Sequence, residues 1–298
     1  MNDLGITKAE ARAALRPLCI YHGNCADGFG AAWVFSRHAG EDFDFHPGVY
    51  QNTPPEVEGR DVYLADFSYK REVMEDILAK ARSVTLIDHH KTALDDLAPI
   101  MGRMRCHCGL DHSGAMLAWQ FIRGDDDPPP LLRHIEDRDL WRFALPHTRE
   151  IQANVFSHPY DFAVWDGLMA APVDQLVAEG KAIERKHFKD IAELVGAFKH
   201  RRNIGGYNVP VSNLPYTLTS DAGHLMADGE PFAACYWDTP DGRVYSLRST
   251  DAGIDVSEIA KQYGGGGHRN ASGFRVPYFH ELAGAPIGGA VDGRGREK

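Results

Sequence analysis

The sequence predicts an α/β protein: a mostly parallel N-terminal sheet flanked by helices, followed by a smaller C-terminal α/β domain. Three observations predict it. From Leu18 to Asp137, short apolar runs alternate with helix-period segments, the βαβ rhythm of a sheet covered on both faces. A long helical stretch near 172–199 breaks that rhythm, and shorter strand candidates follow it. At 298 residues and 43% hydrophobic content, the chain has enough apolar material for two ordinary cores.

In chain order, 18–21, 61–65 and 84–87 read as strands, and 28–37, 69–82 and 113–122 as the helices among them. Asp125-Asp-Asp-Pro-Pro-Pro130 reads as a solvated loop. The stretch 172–199 has apolar residues at three and four spacing and leads to Asn203-Ile-Gly-Gly-Tyr207, which reads as a linker between domains. Beyond it, 209–212, 232–237, 244–248 and 273–276 are strand candidates, and 221–227 and 256–263 are helical. The expected domains are 1–198 and 204–280, with the Gly-rich, charged 281–298 as a flexible tail.

Composition narrows the function. No apolar run approaches the roughly 18 residues of a membrane span, and the start MNDLGITKAEARAALRPL lacks the apolar core of a signal peptide. Five scattered cysteines suit a reducing compartment, so a cytoplasmic location away from membranes is expected. The formal net charge is -10, and basic residues form only short clusters such as Lys199-His-Arg-Arg202. That distribution excludes a groove for long duplex DNA.

The chemistry gathers at strand ends. The first strand runs into His22-Gly-Asn-Cys25-Ala-Asp27-Gly28, the next ends in Asp66, and the next in Asp88-His89-His90. In an open parallel sheet these positions share the carboxyl edge, where ligands bind. Mixed His and Asp donors suit Mn²⁺, iron or Zn²⁺ better than Ca²⁺, and converging carboxylates repel one another without a cation. Each piece has a plainer use: Asp27 can cap the helix after it, the histidines can be surface residues, and Ile135-Glu-Asp137-Arg-Asp139-Leu-Trp141 alone is a charged helix end. Joint occurrence at three successive strand ends favours the metal reading.

Taken together, these residues resemble the DHH phosphoesterase superfamily, whose name-giving triplet is Asp88-His89-His90 here. His22 and Asp27 resemble its first motif, Asp66 its second and Asp137 its fourth. Gly264-Gly-Gly-Gly267-His268-Arg-Asn270-Ala-Ser-Gly273 resembles the glycine-rich signature of the C-terminal domain that accompanies it. The resemblance implies two Mn²⁺ ions, with Mg²⁺, Zn²⁺ or iron as alternatives. It implies Asp66 between the ions, Asp27, His89 and Asp137 on one, and His22 on the other. His90 would then face the substrate phosphate, and Asp88 would orient a ligand histidine. Asp137 is chosen over Asp139 because an acid four residues before an aromatic, Trp141, matches the family pattern. One departure is Cys25, where many members carry an Asp: it either replaces that ligand, shifting preference toward Zn²⁺ or iron, or leaves water there.

Paired cations lower the pKa of a water and hold a phosphate oxygen, so hydrolysis of a phosphorus ester or anhydride is expected. The four glycines can turn consecutive N–H groups toward an anion. Gly266, Gly267, His268 and Asn270, with Arg248 at a strand end upstream, are therefore the expected substrate-binding residues. Cys106-His-Cys108 lacks zinc-site spacing, and most of the five tryptophans read as core. The leading expectation is a phosphodiesterase acting on short oligonucleotides, dinucleotides or other small phosphate esters, and a homodimer is compatible with it. Alternatives are a polyphosphatase or pyrophosphatase, and a nucleotide-binding regulator with a decayed site.

Overall fold

The computed structural model describes residues 15–50 and 52–284. The chain divides into two compact units within one long helix, between His187 and Phe188.

The first unit is built on a five-stranded sheet of β1 (Leu18–His22), β2 (Asp44–Gly48), β3 (Asp61–Ala65), β4 (Ser83–Ile87) and β5 (Arg105–Cys106). The strand order is β2-β1-β3-β4-β5, and every pairing is parallel. The order reverses direction between β1 and β3, the switch point at which open α/β sheets leave a crevice. Side chains alternate across the sheet with the period of a strand. Leu18, Ile20, Val62, Leu64, Val84 and Leu86 pack on one face with Met74 and Ile77 of α2 (Arg71–Lys80). Cys19, Ala65 and Ile87 pack on the other with α1 (Ala26–His38) and α4 (Gly114–Arg123). Between them in sequence lies the short α3 (Lys91–Leu97). The unit continues through α5 (Pro130–Asp139), α6 (Thr148–Phe156), α7 (Phe162–Ala170) and the N-terminal part of α8 (Val173–Phe198). Trp33, Trp119 and Trp165 are buried in the core.

Two strands lack the alternation that marks the others. The edge strand β2 reads Asp-Phe-His-Pro-Gly, and its proline is tolerated because an edge leaves one side of the ladder unpaired. Only two residues form β5.

The second unit holds a six-stranded mixed sheet in the order β10-β11-β9-β8-β7-β6. Its strands are β6 (His200–Ile204), β7 (Tyr207–Asn213), β8 (Ala233–Thr239), β9 (Gly242–Arg248), β10 (Gly266–His268) and β11 (Ala271–Val276). Helix α9 (Thr219–Ala227) packs Ala222 and Met226 against Ala233 and Cys235, while α10 (Val256–Gln262) packs Val256, Ile259 and Ala260 in the other core. The stretch Asn203–Tyr207, expected to be a linker, is instead the turn of the β6–β7 hairpin. Gly205 and Gly206 have φ of +56° and +87°, and consecutive positive φ values are what a tight two-residue hairpin turn demands. The expected tail, 281–298, overlaps described structure at 281–284. Leu282 is buried in the second core and its carbonyl accepts a hydrogen bond from the Tyr245 hydroxyl at 2.7 Å; 285–298 lie outside the described residues. Among the described residues, no helix is long and apolar enough to cross a membrane.

Gly180 gives the packing of the first unit a direct test. A Cβ at this position in α8 would stand 1.8 Å from the Glu150 carbonyl oxygen in α6, so the two helices meet backbone to side. An exposed helical Gly→Ala change stabilises by about 1 kcal/mol. Gly180→Ala should instead destabilise the protein, by roughly 2 kcal/mol, because backbone must move; the urea midpoint decides the sign.

Candidate metal centre

The strand register sets the centre. Tyr21 pairs with Ala65, and Ala65 with Ile87, so the residues that follow, His22, Asp66 and Asp88, leave the sheet at one level. The Asp66 amide continues the ladder by donating to the Ile87 carbonyl at 2.8 Å, but its φ of +58° turns the chain sharply there. Asp is among the few non-glycine residues that tolerate the left-handed region. The turn also needs room: a Cβ on Gly114, the first residue of α4, would lie 2.3 Å from the Asp66 Cβ.

Two groups of donor side chains result within the first unit, each with ligand atoms within 4.8 Å of one another: His22, Asp66 and His90, and Asp27, His89 and Asp139. Asp66 faces both. Its Oδ2 is 3.5 Å from His22 Nδ1, and its Oδ1 is 3.1 Å from His89 Nε2. His89 Nε2 also lies 3.8 Å from Asp27 Oδ2 and 3.5 Å from Asp139 Oδ2.

The supporting contacts are specific. Asp27 does not cap its own helix; it accepts the Gly114 and Ala115 amides at 2.6 and 3.1 Å, and so anchors the N-terminus of α4. Ser113, the residue before, caps the same helix by accepting from Met116 at 3.4 Å. Asp88 Oδ1 accepts both the His89 and His90 amides, at 2.8 and 3.1 Å, and lies 2.7 Å from His90 Nδ1, which fixes the His90 ring.

Electrostatics follow from two buried carboxylates, Asp27 and Asp66, with the partly buried Asp139 beside them. Burial, then the charges of Asp66 and Asp139, push the Asp27 pKa well above the usual carboxylate range. Burial likewise raises Asp139, with the Asp66 charge adding to it against the pull of His89. Asp66 is held low despite burial by its polar contacts with His22 and His89. Burial opposes charge on those rings, yet contacts with Asp66 and Cys25 raise His22 well above the ordinary histidine value, and Asp66, Asp139 and Asp27 raise His89 to about 10. The centre thus draws positive charge. Both Asp66 oxygens are buried and receive no hydrogen bond of proper geometry, which a bound cation would remedy. The donor set of imidazole and carboxylate fits divalent transition-metal ions.

No family model matches the chain. Uncharacterized protein R106 of Acanthamoeba polyphaga mimivirus is 33% identical over 283 residues, covering 85% of this chain and 66% of that protein, so the chain spans slightly under two thirds of its relative's length. Among solved structures, RecJ of Thermus thermophilus in complex with Mn²⁺ matches with a TM-score of 0.51 and 14% identity, over 91% of this chain and 51% of RecJ. The chain has the fold of the DHH superfamily. A pGpG-specific phosphodiesterase from Vibrio is also similar, at a TM-score of 0.45 and 15% identity, over 88% of this chain and 94% of that one.

Within this DHH fold, Asp139 rather than Asp137 joins the donor groups. The Asp137 carboxylate is spent on the following loop: it accepts the Ala144 and Leu145 amides at 2.8 and 3.1 Å and the Thr148 hydroxyl at 2.5 Å. Two residues apart on a helix, the two acids face nearly opposite ways, so only one can reach the sheet edge. His90, expected on the substrate side, stands with His22 and Asp66 at ligand distances. Cys25 precedes α1 beside His22 but belongs to neither donor group, and burial raises its thiol pKa. Cys106 and Cys108 likewise join no donor group, and His112 bonds Glu136 at 2.7 Å.

In the second unit the glycine run is used by the hairpin. A Cβ on Gly265 would meet the Gly273 carbonyl at 2.0 Å and one on Gly267 the Ala271 carbonyl at 2.6 Å, while Gly266 pairs with Gly273. The Asn270 amide donates to Asp251 at 2.7 Å and its oxygen accepts from Ser249 at 3.1 Å, tying two loops together. Arg248 donates to the hydroxyls of Ser246 and Ser220 at 2.9 and 2.8 Å. His268 ends the short β10 strand and is partly exposed.

The two neighbouring acids should separate cleanly on mutation. Asp137→Ala should cost about 3 kcal/mol in denaturant unfolding, since it strands two amides and a hydroxyl, while metal affinity measured by calorimetry stays near the wild-type value. Asp139→Ala should do the reverse. Gly114→Ala should weaken metal binding as well, by displacing Asp66.

Proposed function

We propose that this chain is a divalent-metal-dependent phosphoesterase that hydrolyses phosphodiester bonds of short oligonucleotides or dinucleotides with a metal-activated water. The observation that carries this reading is the sharing of one buried carboxylate, Asp66, between two donor groups. His22, Asp66 and His90 would hold one ion, and Asp27, His89 and Asp139 the other, with Asp66 between. When bound, such ions supply a water of lowered pKa and positive charge for a phosphate oxygen.

The chain's own residues hold the arrangement. Asp88 locks the His90 ring, and the α4 amides lock Asp27, so neither side chain has to be ordered when substrate arrives. The RecJ structure that shares this fold was solved with Mn²⁺, and the same donor chemistry supports Mn²⁺ here. Cys25, outside both groups, gives no pull toward softer ions. The net charge of -10 and the lack of a long basic strip favour short substrates. In the second unit we assign substrate phosphate to Arg248 and His268, whereas Asn270 and the glycines serve the loop and hairpin.

A panel of dinucleotide, cyclic dinucleotide, longer RNA and polyphosphate with Mn²⁺, Mg²⁺, Zn²⁺ or EDTA tests this. Mn²⁺ should release mononucleotides from the dinucleotide, and EDTA should stop it. Asp66→Ala should abolish turnover, and Asp88→Asn should lower it about 10- to 100-fold. Release of phosphate from polyphosphate with oligonucleotides untouched, or full turnover by Asp66→Ala, would overturn the proposal.

A further inference from the structure

The loop after β2 brings an aromatic side chain to the metal centre that no motif announces. The Gly23 amide donates to the Gly48 carbonyl at 2.8 Å, pinning the end of β2 against the loop that follows His22. Tyr50 comes next. Its ring centroid lies 5.3 Å from His22 and 6.2 Å from His90, edge to face with both, and 5.0 Å from Phe67. The ring has three aromatic neighbours, yet Tyr50 remains 44% exposed and the adjacent Val49 42%. Two large apolar side chains are thus left in solvent beside a cluster of buried carboxylates and imidazoles.

That pairing has a chemical meaning. A bare phosphate chain gains nothing from an apolar, aromatic rim, because its surface is all anionic oxygen. A nucleotide presents a phosphate with a flat π-system one sugar away, and bases stack on aromatic side chains whatever their sequence. We propose that Tyr50, with Val49 beside it, is a stacking platform for the nucleobase next to the scissile phosphate. The proposal rests on the phosphoesterase reading and deepens it: the platform selects nucleotides over inorganic phosphates. The contact is made by the ring face, so the hydroxyl is dispensable.

The test is binding of adenosine monophosphate and of inorganic phosphate to the Mn²⁺-loaded full chain, by calorimetry, for wild type, Tyr50→Phe and Tyr50→Ala. Tyr50→Ala should weaken the nucleotide about tenfold or more and leave inorganic phosphate unchanged, while Tyr50→Phe matches wild type for both. Undiminished nucleotide binding by Tyr50→Ala, or an equal loss for both ligands, would overturn the platform and leave the phosphoesterase reading standing. So would a Tyr50→Phe variant as weak as Tyr50→Ala. Failure of the wild type to bind either ligand would overturn both.

Discussion

The arrangement depends on where one side chain leaves one strand. Asp66 follows β3 at the switch point of the sheet, in register with His22 on one side and Asp88 on the other. Its left-handed backbone aims the carboxylate between the two donor groups, and Gly114 supplies the space in which it can sit. A buried carboxylate with no hydrogen-bond donors is costly, and the surrounding chain meets that cost with imidazoles at 3.1 and 3.5 Å. Remove Asp66 and the one-carboxylate link between His22 and His89 is lost.

Supporting contacts then hold the donor side chains in place. Asp27 is held by the start of α4, His90 by Asp88, and the loop after α5 by Asp137. Each of these interactions is already made in the folded chain, so the donor groups stand preformed. Burial raises the pKa values of Asp27 and Asp139, and the repulsion between carboxylates kept this close adds to it. Charge on a divalent ion is the natural counterweight.

Much of this was legible in the sequence, because strand ends carry a readable signal. β1, β3 and β4 are apolar runs that stop at His22, Asp66 and Asp88, and those three ends are where the donors gather. The edge strand β2 was not legible, since Asp-Phe-His-Pro-Gly has no alternation, and with it went Tyr50. The Gly205-Gly206 pair carried a hairpin signal that the preceding long helix disguised as a linker. The choice between Asp137 and Asp139 depends on the rotational phase of the last turn of α5 and on which acid meets the following amides, and neither is written in spacing. The glycine run resembled an anion cradle, but close backbone approach in a hairpin calls for the same residues.

The central proposal is that Asp66 would hold two ions in one centre. Electron paramagnetic resonance of the Mn²⁺-loaded protein tests it most directly. Two ions bridged by a shared carboxylate should give an exchange-coupled spectrum, with about two Mn²⁺ bound per chain, and Asp66→Ala should remove the coupling. A spectrum of isolated Mn²⁺ at saturating metal, or coupling that survives Asp66→Ala, would contradict the account.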